Sequence, residues 1–208
     1  MIFLDIETEP LPLATLQRNM PKFSAPSNWK DEAKIAENIA KQERGWIAMA
    51  ALSPMTGRVL AVGVGLEDAV FLIECQDESE LLRRTWGAIT DHGAYTEPVA
   101  GWNLLGFDLP FLVKRSWICG VPVPKTTLET YKGRSYFNPQ FQDLMLKWGM
   151  GERYSKLDDV LTALGLENKR DLDGKLFYEL YRNGQEAEAL AYLERDVTAL
   201  RDIHNRIQ

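Results

Sequence analysis

The 208-residue chain is 45% hydrophobic and 26% charged, a balance that suits a folded core and excludes a disordered chain. No apolar run approaches the roughly 20 residues that span a bilayer, and two cysteines, Cys75 and Cys119, are too few for a disulfide framework or a cysteine metal site. A net charge of −6 and a pI near 5.1 argue against a surface built for tight, salt-sensitive duplex binding, though they leave room for a local basic patch.

The opening residues, Met1-Ile2-Phe3-Leu4-Asp5-Ile6-Glu7, carry acids where a signal peptide would be apolar, so a reducing, cytoplasmic location is the expectation. Ile2, Leu4 and Ile6 alternate with Phe3, Asp5 and Glu7, the period of a strand over 2–7. An insertion over 10–56 follows, with one expected helix over 31–44. The apolar content of that helix (Ile35, Ala36, Ile39, Ala40) is thin, which predicts half exposure, and insertions of such length tend to be functional or mobile. Strands over 58–65 and 69–73 are expected to form a hairpin across Leu66-Glu67-Asp68. Asp77 and Glu80 have the spacing of a capping box, opening a helix through Leu81, Leu82, Trp86 and Ile89.

A buried strand over 98–102 leads to a helix over 108–119, with Pro110 tolerated in its first turn. Prolines and glycines over 120–140 predict loop, with a short strand near 128–131. Helices are then expected over 141–148, 156–164, 172–181 and 185–207. In the last, Leu190, Leu193, Val197, Leu200 and Ile207 keep the spacing of a buried stripe. Strands first and helices later predict an α/β fold, a mixed sheet flanked by helices, with residues 1–208 as one domain.

Three short patterns carry chemistry. Asp5 and Glu7, two apart on a strand, project from one face; among apolar neighbours, hard divalent cations would relieve the cost of burying them, although solvated strand edges also carry such pairs. Asp108 ends the loop Asn103-Leu104-Leu105-Gly106-Phe107 and begins a helix, where a plain N-cap is the alternative reading. Tyr192 and Asp196 share one helix face beside the buried stripe, and an acid so close to a core face needs a partner, a metal or water.

The ordered set, Asp-x-Glu on the first strand, Asn-x-x-x-Phe-Asp at a strand-to-helix junction and Tyr-x-x-x-Asp on a late helix, resembles the DEDD exonuclease superfamily. Leu157-Asp158-Asp159-Val160-Leu161 with Leu164-Gly165-Leu166 is similar to the helix between that family's second and third motifs. The histidine subtype has its histidine five residues before the last aspartate. Here that position is Ala191, and His204 lies beyond Asp196, so the chain looks like the tyrosine subtype, DEDDy. It resembles the stand-alone predicted exonucleases, found in bacteria and phages, that are related to the family-B polymerase proofreading domain. The resemblance covers residues 1–7 and 59–207 and leaves out the insertion.

The resemblance implies an RNase H-like fold whose first three strands are antiparallel and whose later strands are parallel. It implies a 3′-5′ exonuclease that releases nucleoside 5′-monophosphates from single-stranded DNA or a frayed 3′ end, using two Mg2+ or Mn2+ ions. By this similarity Asp5 bridges both ions, Glu7 and Asp196 hold the ion that activates water, and Asp108 holds the ion beside the leaving 3′ oxygen. Tyr192 orients the water. Thr8, Asn103, Leu104 and Phe107 match positions near the terminal nucleotides, Phe107 by stacking on a base. Lys147, Arg153, Lys156, Lys169 and Arg170 are candidates to track phosphates, and Asp143 is read as structural. No membrane partner is expected, and the insertion is expected to cover the substrate entrance. Alternatives left open are a ribonuclease with the same site, a silent exonuclease-like module that binds nucleic acid or a polymerase or replication partner, and an acidic interaction protein in which the motifs are chance.

Overall fold

The computed structural model describes residues 1–131, 138–150, 155–166 and 175–207. They divide into two compact units, one made of Met1–Glu7 with Val59–Gln208 and one of Thr8–Arg58. Among the described residues no helix is long and apolar enough to cross a membrane.

The larger unit is built on a five-stranded sheet of order β3-β2-β1-β4-β5. The strands are β1 (Ile2–Pro10), β2 (Gly57–Gly65), β3 (Val70–Glu74), β4 (Val99–Gly101) and β5 (Phe141–Asp143), of which β1 and β2 run on into the smaller unit. β2 and β3 pair antiparallel, Ala61 opposite Glu74 and Gly65 opposite Val70, which is the expected hairpin. β1–β4 and β4–β5 are parallel. The expected mixed α/β sheet is thus present.

Alternation in β1 sorts the core. Ile2, Leu4 and Ile6 lie in one apolar cluster with Leu81, Leu82 and Trp86 of α3 (Glu78–Ile89) and Leu109, Phe111 and Leu112 of α4 (Asp108–Ile118). Phe3 joins a second cluster. It holds residues from α6 (Leu144–Gly149), α7 (Leu157–Leu164), α8 (Lys175–Arg182) and α9 (Glu186–Arg206). The period of two therefore assigns Asp5 and Glu7 to the face covered by α9.

Two glycines on β2 set how near α9 comes. A Cβ on Gly63 or on Gly65 would lie 2.5 Å from a methyl carbon of Val197, closer than packed carbons approach, so the helix rests directly on the backbone there. Across the sheet a Cβ on Gly101 would meet the Leu4 carbonyl at 2.7 Å. A buried ion pair ties α3 to α4: Arg115 donates to Glu78 at 2.9 and 2.5 Å, and Glu78 also accepts the Val59 backbone N–H at 2.9 Å.

Several local expectations are corrected. Residues near 128–131 are not strand: α5 (Lys125–Thr130) follows Pro124, whose fixed φ suits a helix entry, and Thr127 is buried with its hydroxyl 2.8 Å from that of Tyr95. The helix expected over 141–148 begins with β5 instead. Phe141 pairs with Val99, and Asp143 then caps α6 by accepting the N–H groups of Met145 and Leu146. Asp77 caps α3 through Ser79, but Glu80 ion-pairs with Arg83 at 3.0 Å rather than completing a capping box. The expected start of the 172–181 helix lies outside the described residues, as do Arg153, Lys169 and Arg170.

The smaller unit holds α1 (Leu13–Asn19), which its sequence does not announce, α2 (Glu32–Ala48) and a 3-10 turn (Ala50–Leu52). Asp31 caps α2 by accepting the N–H groups of Ala33 and Lys34. Within this unit Glu9 is buried and pairs with Arg58, and Leu11 donates to the Thr56 carbonyl at 2.8 Å. No residue of α2 is fully buried, in keeping with its thin apolar stripe.

Candidate active site

The acids of the first and last motifs converge. Asp5, Glu7 and Asp196 each offer a carboxylate oxygen, and these oxygens lie within 4.8 Å of one another. Two features of the sequence bring this about. The period-two alternation of β1 turns Asp5 and Glu7 to one side, and the close seat of α9 on Gly63 and Gly65 carries Asp196 to them. Val197, the residue that fills the glycine gap, is the neighbour of Asp196, so the packing contact and the acid are set by one turn of helix.

Asp108 arrives from the opposite side of the sheet. It is not the helix cap, a position held by Phe107 without a side-chain bond. Instead its buried carboxylate accepts the backbone N–H of Ile6 at 3.2 Å. The loop before it is shaped by Asn103, whose φ of +57° lies in the left-handed region that Asn tolerates better than most residues. The Asn103 carbonyl accepts the N–H groups of Gly106 and Phe107, both at 2.9 Å. Asp143 holds the same loop by accepting the Leu105 N–H at 3.1 Å, which is the structural role expected of it.

The electrostatics follow from this crowding. Burial, followed by the charges of Asp108, Asp196 and Glu7, holds Asp5 well above the usual carboxylate range. Glu7 is raised by burial, then by Asp196 and Asp108. Burial pushes Asp108 up to about 7, against the lowering by its two backbone hydrogen bonds and with a further push from Asp143. Asp196 is likewise pushed to about 7 by burial and by Asp158, while Tyr192 and Arg195 pull it down. Tyr192 is buried and makes a hydrogen-bonding contact to Asp196; burial and the charges of Asp196, Glu7 and Asp5 raise its phenol far above the ordinary value.

This donor set fits hard divalent cations. It is all oxygen, it is concentrated at one spot, and every influence acting on Asp5 and Glu7 disfavours their charged forms. A dication reverses that balance and takes carboxylate oxygens as ligands.

The other anticipated residues divide. Phe107 is half-buried with its ring 5.4 Å from that of Phe111, leaving part of it open to solvent. Leu104 is wholly buried in the first apolar cluster, so its side chain packs the core. Thr8 follows Glu7 on β1, half-buried, as the first residue of the smaller unit. Lys156 is exposed and lines a shallow cleft of about 430 Å³ with Trp148, Ser155, Asp159 and Val160. Lys147 is half-buried and acts on His204. The part played by Gly63 and Gly65 is not anticipated from the sequence; their signal is two glycines at strand spacing on one face of an apolar strand.

With this geometry in view, comparison with known proteins is specific. Residues 60–201, more than half the chain, match the model of a family described as predicted 3′-5′ exonuclease related to the exonuclease domain of PolB. That span includes Asp108, Tyr192 and Asp196 but begins after Asp5 and Glu7. Among solved structures, the family B DNA polymerase of the hyperthermophilic archaeon Pyrobaculum calidifontis superposes with a TM-score of 0.61 over 99% of this chain, at 16% identity. This chain spans 24% of that polymerase, and at such identity the likeness is one of fold. No curated protein sequence matches the chain.

Proposed function

Since this chain belongs to the family of predicted 3′-5′ exonucleases related to the exonuclease domain of PolB, we propose that it removes nucleoside 5′-monophosphates one at a time from the 3′ ends of single-stranded DNA, with the help of two magnesium or manganese ions. The observation that carries this reading is the approach of the Asp5, Glu7 and Asp196 carboxylate oxygens to within 4.8 Å of one another, with Asp108 close enough to raise Asp5.

On this reading Asp5, Glu7, Asp108 and Asp196 hold the ions. When bound, the ions supply the Lewis acidity that activates water and stabilises the charge on the leaving 3′ oxygen. Tyr192 keeps its proton, because burial and three neighbouring carboxylates oppose its ionisation. It therefore acts as a hydrogen-bond donor that orients the attacking water, not as a base. Asp108, anchored to the Ile6 N–H, keeps its carboxylate fixed relative to Asp5 and Glu7 as the phosphodiester reacts. Asn103 and Phe107, on the loop leading into Asp108, meet the terminal nucleotides, Phe107 by stacking on a base.

The test is a time course on a 5′-labelled single-stranded DNA oligonucleotide with Mg2+ or Mn2+, beside an RNA of the same sequence and the Asp5→Ala variant. A ladder that shortens from the 3′ end with wild type and not with Asp5→Ala is expected, faster on DNA than RNA. Preferential shortening of RNA would reassign the substrate. No shortening of either polymer with either metal would overturn the exonuclease reading.

A further inference from the structure

The Thr8–Arg58 unit differs in charge from the rest of the chain. Residues 8–58 hold seven Lys and Arg against five Asp and Glu, a net of +2, so with −6 for the whole chain the remainder carries −8. Within the unit one acid, Glu9, is buried against Arg58, and another, Asp31, is occupied in capping α2. Three of the cations gather on one side of α2. Lys34, Lys41 and Arg44 fall at i, i+7 and i+10 on α2, which places them in one stripe, with Glu37 among them. All are exposed, and neither these three nor Lys22 and Lys30 form an ion pair among the described residues. The opposite stripe, Ile35, Ile39 and Trp46, is half-buried. The basic stripe is therefore the solvent side of an anchored helix.

We propose that this face of α2 is a strand-holding surface: it binds the phosphate backbone of single-stranded polynucleotide, so that the Thr8–Arg58 unit governs how tightly a polymer substrate is held. The proposal takes its substrate class from the exonuclease reading. A polyanion is repelled by a unit of net −8 and attracted by one of net +2. Ten residues of helix between Lys34 and Arg44 extend ~15 Å, a reach of several nucleotides. Trp29, exposed beside Lys30 just before α2, offers a ring on which a base stacks without regard to sequence. Covalent continuity adds to the effect, because Thr8 follows Glu7 directly and Arg58 precedes Val59. A strand held on this unit is thereby tethered to the same chain that carries the carboxylates. The stripe includes no acid of the proposed active site, so it should act on binding and leave the chemical step alone.

The test uses the full chain and the triple variant Lys34→Gln, Lys41→Gln, Arg44→Gln, whose positions are exposed and should leave the thermal midpoint unchanged. Binding of a 5′-fluorescein oligothymidylate is followed by anisotropy in EDTA across a salt series. In parallel, KM and kcat on the same oligomer with Mn2+ are compared with hydrolysis of thymidine 5′-p-nitrophenyl phosphate, which is too small to reach a second surface. The expected result is binding weakened about tenfold or more at low salt, with a log–log salt slope shallower by ~2, about 0.7 for each of the three phosphates that the variant no longer neutralises. KM on the oligomer rises, while kcat and ester hydrolysis hold. Unchanged affinity and slope would overturn the proposal and leave the stripe to an acidic protein partner. If the wild type hydrolyses neither substrate, the exonuclease reading fails, yet the EDTA binding arm still decides whether the stripe holds nucleic acid.

Discussion

The backbone N–H of Ile6 donates to the Asp108 carboxylate at 3.2 Å, across 102 residues of sequence. Ile6 lies between Asp5 and Glu7, so this one bond sets the acid at the head of α4 against the two acids of β1. It also separates the two jobs of Asp108. Asp108→Asn keeps an acceptor for Ile6 and removes a charge proposed to hold metal, so it should retain the fold and lose activity by about a thousandfold or more, as expected when a charge-stabilising group is removed. Asp108→Ala should lose activity equally and be less stable than Asp108→Asn by roughly 1–2 kcal/mol, the cost of a buried N–H left without its partner. Equal urea midpoints for the two variants would refute the structural half of the claim.

Metal should stabilise the protein. A dication that binds only the folded chain adds about 2.7 kcal/mol at a hundredfold excess over its dissociation constant, which raises the midpoint of a chain this long by roughly 5–10 °C. A thermal scan with Mn2+ against EDTA reads this directly. Asp5→Asn should abolish most of the increment, and an unchanged wild-type midpoint would argue that the acids hold no metal.

Without metal, stability should fall as the pH rises. Asp108 and Asp196 are both pushed to about 7 in the folded protein, whereas an unfolded chain titrates Asp near ~3.9. Between those values the native state holds more protons, so the slope of unfolding free energy with pH is negative over about pH 4 to 7 and this contribution levels off above. In EDTA the thermal midpoint of wild type should drop from pH 5 to pH 8 by more than that of Asp196→Asn. Parallel pH profiles for the two proteins would contradict the assignment.

Tyr192 should matter less than the acids. Held protonated by burial and by Asp196, Glu7 and Asp5, it has the proposed role of orienting water through one hydrogen bond. Tyr192→Phe should lower kcat by up to about 100-fold, with no shift in the pH dependence between 7 and 9. A pH profile that loses a limb in the variant would mean that the phenol is a base after all.

Closeness of α9 to β2 should be required for the site. Gly65→Ala puts a Cβ 2.5 Å from Val197, and the resulting shift of α9 should cost roughly 1–3 kcal/mol and reduce activity with it, since Asp196 is the next residue. Glu78→Ala is the contrasting case. Removing one partner of the buried Glu78–Arg115 pair should cost about 3–5 kcal/mol while leaving activity per folded molecule near wild type. Urea denaturation paired with active-site titration distinguishes the two; an inactive but stable Glu78→Ala would show that pair to serve chemistry.

The sequence by itself determined the periodic elements and the family. A period of two in β1, the Leu66-Glu67-Asp68 link of the hairpin and the three-four stripe of α9 are local patterns, legible because a strand or an amphipathic helix must present its apolar residues to one side. It also named the acids, because residue type and order survive in a motif even when each piece is weak. Local pattern was ambiguous where length was short: three residues of β5 read as the first turn of a helix, since Phe141 is apolar in either and only pairing with Val99 selects the strand. The α5 turn read as strand for the same reason, before Thr127 and Tyr95 met.

What only the tertiary structure decided was distance. Nothing local in Asp5, Asp108 or Asp196 says that they share one site. That follows from the parallel pairing of β1 with β4, from the Asp108 bond to Ile6, and from two glycines that admit Val197. It likewise showed Leu104 to be core and Phe107 to be partly open, because burial is a property of what packs on a residue from far along the chain, whereas spacing records only its neighbours in sequence.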